Sequence, residues 1–209
     1  MSIKAGIISD PHATPGPVEE AISVFRQQGV DHILCAGDIA GYGDALEETV
    51  ELLISSGCKS VIGNHEAWYL DWTVASEGLL SYGYLSGLPG SLEMTIAGKT
   101  LYMVHACPPD SLMDGIRLLD VEGELIDEQQ AYWTGRLRGF AYNVLVVGHT
   151  HQVFAERLAD TLVINPGSTL FNHSCAVVSF PELQVEWFGL SGQTLQKSWN
   201  WGMVRFEPD

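Results

Sequence analysis

The sequence predicts an α/β fold in which two β-sheets pack face to face with helices outside them. Three observations carry that expectation. Apolar runs alternate with helical stretches through the first part of the chain, the chain turns β-rich from about Leu92, and chemistry-bearing polar residues stand directly after strand after strand. The first pattern implies βαβ units around a parallel sheet, whose right-handed crossovers put the strand C-termini at one edge.

Each element has a local reason. Ile3 to Ser9 is a continuous apolar run and reads as a buried strand. Pro17 to Gln28 reads as a helix stopped by Gly29, and Ala45 to Ser56 as a second helix stopped by Gly57. Between and after them, His32 to Ala36 and Lys59 to Ile62 read as strands. Met94 to Ile96 and Thr100 to His105 flank Ala97-Gly98-Lys99 as a hairpin. Glu124 to Leu137 looks helical, and Asn143 to Val147 is another buried strand. Val153 to Arg157 and Thr161 to Ile164 are joined by a tight turn at Ala159-Asp160, and Ser174 to Phe180 and Leu183 to Phe188 surround Pro181. Repeats, low-complexity tracts and linkers are not evident, so residues 1–209 read as a single domain.

Composition narrows the function. Hydrophobic residues make up 46% and charged residues 17% of the 209, enough for a core. No apolar run approaches the roughly 18 residues that span a bilayer, and the short N-terminal run does not resemble a signal peptide, so the expected location is cytoplasmic. Cys35, Cys58, Cys107 and Cys175 lack zinc-finger or CxxC spacing and read as free thiols. A net charge of −16 argues against non-specific binding to nucleic acid or to an anionic membrane. The same charge repels a phosphate substrate unless a bound cation reverses the sign locally.

The polar residues at the strand ends supply candidates for such a site. Asp10 and His12 follow the first strand, Asp38 the second, Asn64, His65 and Glu66 the third, His105 the hairpin, and His149 and His151 the Val146-Val147 strand. Open α/β sheets bind ligands at this edge. Six of the seven histidines, His173 more loosely, lie in or near such termini. Nitrogen and carboxylate donors without a thiolate suit Mn, Fe, Zn, Ni or Co at a catalytic centre, and the donor count exceeds one ion's needs. Two divalent transition-metal ions sharing a carboxylate are the economical reading.

The ordered set D-x-H, G-D, G-N-H-E, H and G-H-T-H closely resembles the calcineurin-like metallophosphoesterase superfamily. The Asn165-Pro166-Gly167-Ser168 that follows resembles its small bacterial and archaeal branch of YfcE-type phosphodiesterases. The resemblance implies a four-layer α/β/β/α sandwich with a two-metal centre at the strand ends. Carried over by motif, it implies one metal on Asp10, His12, Asp38 and His151, and a second on Asp38, Asn64, His105 and His149, with Asp38 bridging. It implies His65 as the general acid.

The chain also departs from the protein phosphatases of that superfamily. Gly41 stands where they have the Asp that orients the acid, and Tyr42 where they have a phosphate-binding Arg. That favours phosphodiesters over phosphoproteins, with a small phosphoester or nucleotide as substrate. Tyr42 and His173 are candidate substrate contacts. A phosphomonoesterase or nucleotide pyrophosphatase, or a non-catalytic interaction scaffold, are the alternatives. Trp68, Tyr69 and Trp72 read either as a base- or aryl-stacking pocket or as core, while Trp199 and Trp201 read as a clasp onto the body or onto a second subunit of a homo-oligomer. Arg136 and Arg138 read as helix-end charges, not phosphate ligands, and Asn165 to Ser168 as a turn that positions the metal loops.

Overall fold

A computed structural model describes residues 2–72 and 79–199. Its elements run β1 (Ile3–Ile8), α1 (Pro15–Gln28), β2 (His32–Cys35), α2 (Leu46–Ser55), β3 (Lys59–Ser60), α3 (Asn64–Trp72), α4 (Leu80–Ser86), β4 (Ser91–Ile96), β5 (Lys99–Val104), α5 (Asp127–Arg136), β6 (Val144–Val146), β7 (Val153–Leu158), β8 (Thr161–Pro166), β9 (Ser174–Phe180) and β10 (Gln184–Gly189). They form two mixed five-stranded sheets, ordered β10-β9-β1-β2-β3 and β4-β5-β6-β8-β7. β1, β2 and β3 are parallel, as are β5, β6 and β8, while the outer strands β9 and β10, β4, and β7 run antiparallel to their neighbours.

Side-chain alternation along the strands builds the layers. Ile7, Leu34 and Val178 of the first sheet meet Leu101, Met103, Val144 and Ile164 of the second in one buried cluster, so the sheets pack face to face. The next residues along, Ile8, Cys35 and Val177, point outward to Val18, Phe25, Val50, Leu53 and Leu85, burying α1, α2 and α4. On the far side, Val104, Leu145 and Val163 bury Trp133 of α5. This is the expected four-layer order. α1 ends at Gly29, which takes the left-handed conformation (φ 65°) and donates its N–H to Arg26 and Phe25.

Three details differ from the expectation. α4 has no counterpart in the sequence reading, because its seven residues include Ser81, Gly83 and Ser86 and are too few to show a helical period. α5 begins at Asp127 and not at Glu124, because Leu125 pairs across an isolated bridge with Leu119 and Ile126 donates its N–H to the Leu118 carbonyl. β8 continues through Asn165 and Pro166, which still pair with Phe154 and Val153, so the turn starts two residues later, at Gly167. The four cysteines are free, and among the described residues no helix is long and apolar enough to cross a membrane. Trp201 lies outside the described residues.

Candidate metal centre

The C-terminal ends of β1, β2, β3, β5 and β6 converge, and the loops that leave them carry the polar side chains. Each loop must turn away sharply, and five of the candidate ligand positions absorb the turn. Asp10 (φ 51°), His12 (46°), Asp38 (53°), His149 (65°) and His151 (47°) all take left-handed backbone despite their side chains. Such positions cost on the order of 1–3 kcal/mol each and persist only where their surroundings hold them. Here the loops hold one another. Asp10 N–H donates to the Gly37 carbonyl at 2.9 Å, His12 N–H to the Asp38 carbonyl at 3.0 Å, and Gly148 N–H to the His105 carbonyl at 2.7 Å. Gly148 has no freedom to be anything larger, since a Cβ there would stand 2.6 Å from Asp10 Oδ2.

The side chains gather into three overlapping groups: Asp10 with His12 and His151, His12 with Asp38 and His65, and Asp38 with His105 and His149. His151 Nε2 lies 3.2 Å from both Asp10 Oδ1 and His12 Nε2. His105 Nε2 lies 3.3 Å from Asp38 Oδ1 and 3.1 Å from Asn64 Oδ1, and His149 Nδ1 lies 2.9 Å from the same Asn64 oxygen. All seven residues assigned to metal in the sequence are thus neighbours. Two ring orientations are set from behind. His12 Nδ1 faces the Ala40 carbonyl at 3.1 Å and His105 Nδ1 the Ala36 carbonyl at 2.7 Å, so each Nδ1 donates and each Nε2 faces inward. One carboxylate oxygen, Asp38 Oδ2, is buried with no hydrogen-bond partner and lies 3.9 Å from His65 Nε2.

Charge in the centre is strongly coupled. Burial alone raises a carboxyl pKa, but His151, hydrogen-bonded to Asp10, and then His105 and His12 hold Asp10 far below the usual carboxylate range. Asp38 is likewise lowered, against burial, chiefly by His105. Burial pulls His12 down to about 4, more than Asp10 and Asp38 restore, so its ring is neutral. His105 goes the other way, to about 9, since the adjacent Asp38 outweighs its burial. Metal binding at His105 Nε2 would therefore release the proton that Asp38 favours there. Two ionised carboxylates, inward-facing imidazole nitrogens, an amide oxygen and an unpartnered buried carboxylate oxygen suit divalent transition metals.

His65 occupies the rim. It is half-buried, and burial lowers its pKa against the pull of Asp38. Among the described residues no carboxylate hydrogen-bonds its ring, the nearest being Asp38 Oδ2 at 3.9 Å from Nε2. A Cβ on Gly41 (φ 122°) would stand 2.5 Å from His65 Nδ1 and 2.8 Å from His12 Nδ1, so an acidic side chain at 41 is incompatible with these ring positions. Aromatic edges do the orienting instead. His65 lies with ring centroids 4.7 Å from His12 and 5.0 Å from both Tyr42 and Trp68. Tyr42 therefore sits beside the centre. His173 stands apart from the three groups, with its carbonyl tied to Leu190 N–H near the end of β10.

Glu66 is the residue that the motif reading passed over. It is fully buried and accepts N–H bonds from Asp38 (2.9 Å), Ala40 (2.6 Å) and Gly63 (2.7 Å), lacing the second motif to the third. Burial and the nearby Asp38 push its carboxyl up to about 7 despite those donors. A signal existed, because a Glu three residues after a Gly that opens a helix is half of a capping box. The NPGS turn positions loops as expected. Ser168 Oγ donates to the Asp10 carbonyl at 2.6 Å, and Asn165 Nδ2 donates to the Gly148 carbonyl at 2.9 Å. Trp199 clasps the body: its ring stacks on Phe171 (4.9 Å, 17°), Phe171 stacks on His151 (5.2 Å, 26°), and Trp199 N–H donates to the His151 carbonyl at 3.0 Å.

Comparison with known proteins agrees with this geometry. The family model for the calcineurin-like phosphoesterase superfamily domain matches residues 3–180. The uncharacterized protein MJ0912 of Methanocaldococcus jannaschii is 27% identical over 181 residues, covering 77% of this chain and 68% of that protein. Among solved structures, the hypothetical protein PH1004 of Pyrococcus horikoshii superposes with a TM-score of 0.71 at 18% identity, over 90% of this chain and 88% of that one. A novel archaeal phosphodiesterase gives 0.60 at 17%, over 90% and 100%. The phosphoesterase YfcE of E. coli gives 0.54 at 17%, over 90% and 100%. At these identities the structural likenesses speak for the fold.

Proposed function

The chain belongs to the calcineurin-like phosphoesterase superfamily, and from that membership we propose that it hydrolyses phosphodiester bonds at a centre for two divalent metal ions. One observation carries the reading. The buried Asp38 carboxylate belongs to two of the three donor groups, with Oδ1 toward His105 and Oδ2 toward His65. A shared carboxylate between two clusters is what a paired-cation site needs. Asp10, His12, Asp38 and His151 would hold one ion, and Asp38, Asn64, His105 and His149 the other. Such ions supply an acidified water as nucleophile and neutralise charge on the phosphoryl oxygens, which a chain of net charge −16 otherwise repels.

The protein's own groups do the rest. Glu66 and Ser168 hold the ligand loops in place. His65, on the rim of the cluster, delivers a proton from Nε2 to the departing ester oxygen. Tyr42 and Gly41 leave the site without a fixed cation where the protein phosphatases have an Arg, which supports a diester over a dianionic monoester. His173 is not assigned to the substrate in this reading.

The test is turnover of bis-p-nitrophenyl phosphate and p-nitrophenyl phosphate by metal-stripped protein, with Mn, Fe, Co, Ni, Zn and Mg restored singly. The expected result is metal-dependent hydrolysis favouring the diester. Faster turnover of the monoester moves the assignment to a phosphatase. Silence on both with two equivalents of metal bound overturns the enzymatic reading.

A further inference from the structure

Beside the centre, on the His65 side, lies a cavity of about 590 Å³ that the hydrolytic chemistry does not itself require. Its size is within the roughly 300–1,000 Å³ range of small-molecule sites. Tyr42, Trp68, Tyr69 and Trp72 wall it, and His65 lies at its junction with the metal cluster. The aromatics are open to solvent, with Tyr42 57%, Trp68 41% and Trp72 84% exposed. Three large exposed rings at one place are costly to leave in water, and such patches mark binding sites. The charge lining is equally specific. Asp44 is the only ionic side chain besides His65, and neither Lys nor Arg lines the cavity among the described residues.

Resting on the phosphodiesterase reading, we propose that this cavity receives the departing alcohol of the substrate, and that the alcohol carries a planar, uncharged aromatic group, a nucleobase or an aryl ring. Position dictates the side. Water forms the new P–O bond, the ester P–O bond breaks with its electron pair on the departing oxygen, and the His65 proton goes to that oxygen. The proton lost by the water returns to His65 or to solvent. Whatever is attached to the departing oxygen therefore extends past His65, between rings that lie 5.0 Å from it on two sides. Chemistry dictates the class. Stacking on Tyr and Trp suits any π-face, whereas a leaving group that is itself a phosphate would meet Asp44 and no cation. Nucleoside polyphosphates split at an internal phosphoanhydride are thereby disfavoured.

The experiment compares methyl phenyl phosphate with methyl hexafluoroisopropyl phosphate, an aryl and an alkyl leaving group on the same diester, using metal-loaded wild type, Trp68→Ala, Tyr42→Ala and Trp68→Phe. The aryl-over-alkyl ratio of kcat/KM is expected to fall about tenfold in each alanine variant and to recover in Trp68→Phe. An unchanged ratio overturns the proposal. Saturable quenching of tryptophan fluorescence by adenosine and by benzyl alcohol tests the cavity without turnover. Stronger adenosine binding assigns the occupant to a nucleobase, and equal binding to an aryl ring. If no phosphoester is hydrolysed, the function proposed above fails, while quenching that is lost in Trp68→Ala still upholds the cavity. No saturable quenching by either, with a dimer that Trp72→Ala dissociates, assigns the patch to a second copy and overturns the proposal.

Discussion

The two flanks of the metal cluster use the same material, histidine against aromatic rings, and pack it in opposite ways. On the His151 flank the column His151, Phe171, Trp199 is stacked nearly parallel, and the His151 carbonyl takes N–H bonds from both Trp199 and the Asn172 side chain. On the His65 flank the rings meet at angles of 52–69° and the outer two are solvent-exposed. Under the function proposed above, His151 would have to hold one geometry as a metal ligand, and its flank is closed. His65, as the proposed proton donor, would have to admit a substrate, and its flank is open. The proposal thus assigns holding to the closed flank and reacting to the open one.

Substitutions can break that separation, and Asp38 lies between His65 of the open flank and His105. Asp38→Asn is expected to cost at least about a hundredfold in metal affinity and to abolish turnover, read by metal titration and assay. Two ions retained at wild-type affinity would show that no carboxylate is shared. His65→Asn touches only the open flank. Its turnover is expected to fall by about 10²–10⁴ with metal content unchanged, measured by steady-state kinetics alongside elemental analysis; full activity would remove His65 from the proton transfer.

Smaller effects sharpen the contrast. Glu66→Gln swaps one acceptor oxygen for an NH₂, which cannot accept from Ala40 N–H if it replaces Oε1, or from Asp38 and Gly63 N–H if it replaces Oε2. A loss of about 1–3 kcal/mol in stability is expected from urea unfolding of metal-free protein. Phe171→Ala on the closed flank is expected to cost about 2 kcal/mol, since the partly buried ring supports both His151 and Trp199. Trp68→Ala on the open flank, at an exposed position, should change stability by no more than about 0.5 kcal/mol. Equal destabilisation by the two would mean that the flanks do not differ.

Much of this was legible in the chain. The strands announce themselves as apolar runs, and the ligands follow them within a few residues, so Asp10, His12, Asp38, Asn64, His105, His149 and His151 could be picked out by local pattern and order. Even the two-sheet arrangement shows in the switch from β-α alternation to hairpins near Leu92. Residues whose role depends on partners distant in sequence were harder. Glu66 looks like an ordinary helix-start acid until the loop 28 residues earlier folds onto it. Residues 68, 69 and 72 could be core or pocket by spacing alone, and only the tertiary structure shows all three on one cavity wall, with Trp68 and Trp72 exposed and Tyr69 also packed against the core.

Donor types, their order and their positions at strand ends were thus determined by the sequence itself, because strand formation and strand ends are read from neighbouring residues. Tertiary structure alone decided which donors touch, the left-handed backbone of five candidate ligand positions, and the closing of one flank against the opening of the other. Those depend on contacts such as Ser168 Oγ to the Asp10 carbonyl, 158 residues apart, and His149 N–H to the Asp10 carboxylate, 139 apart. No local preference encodes such contacts; they exist only once the two sheets have packed and brought the loops together.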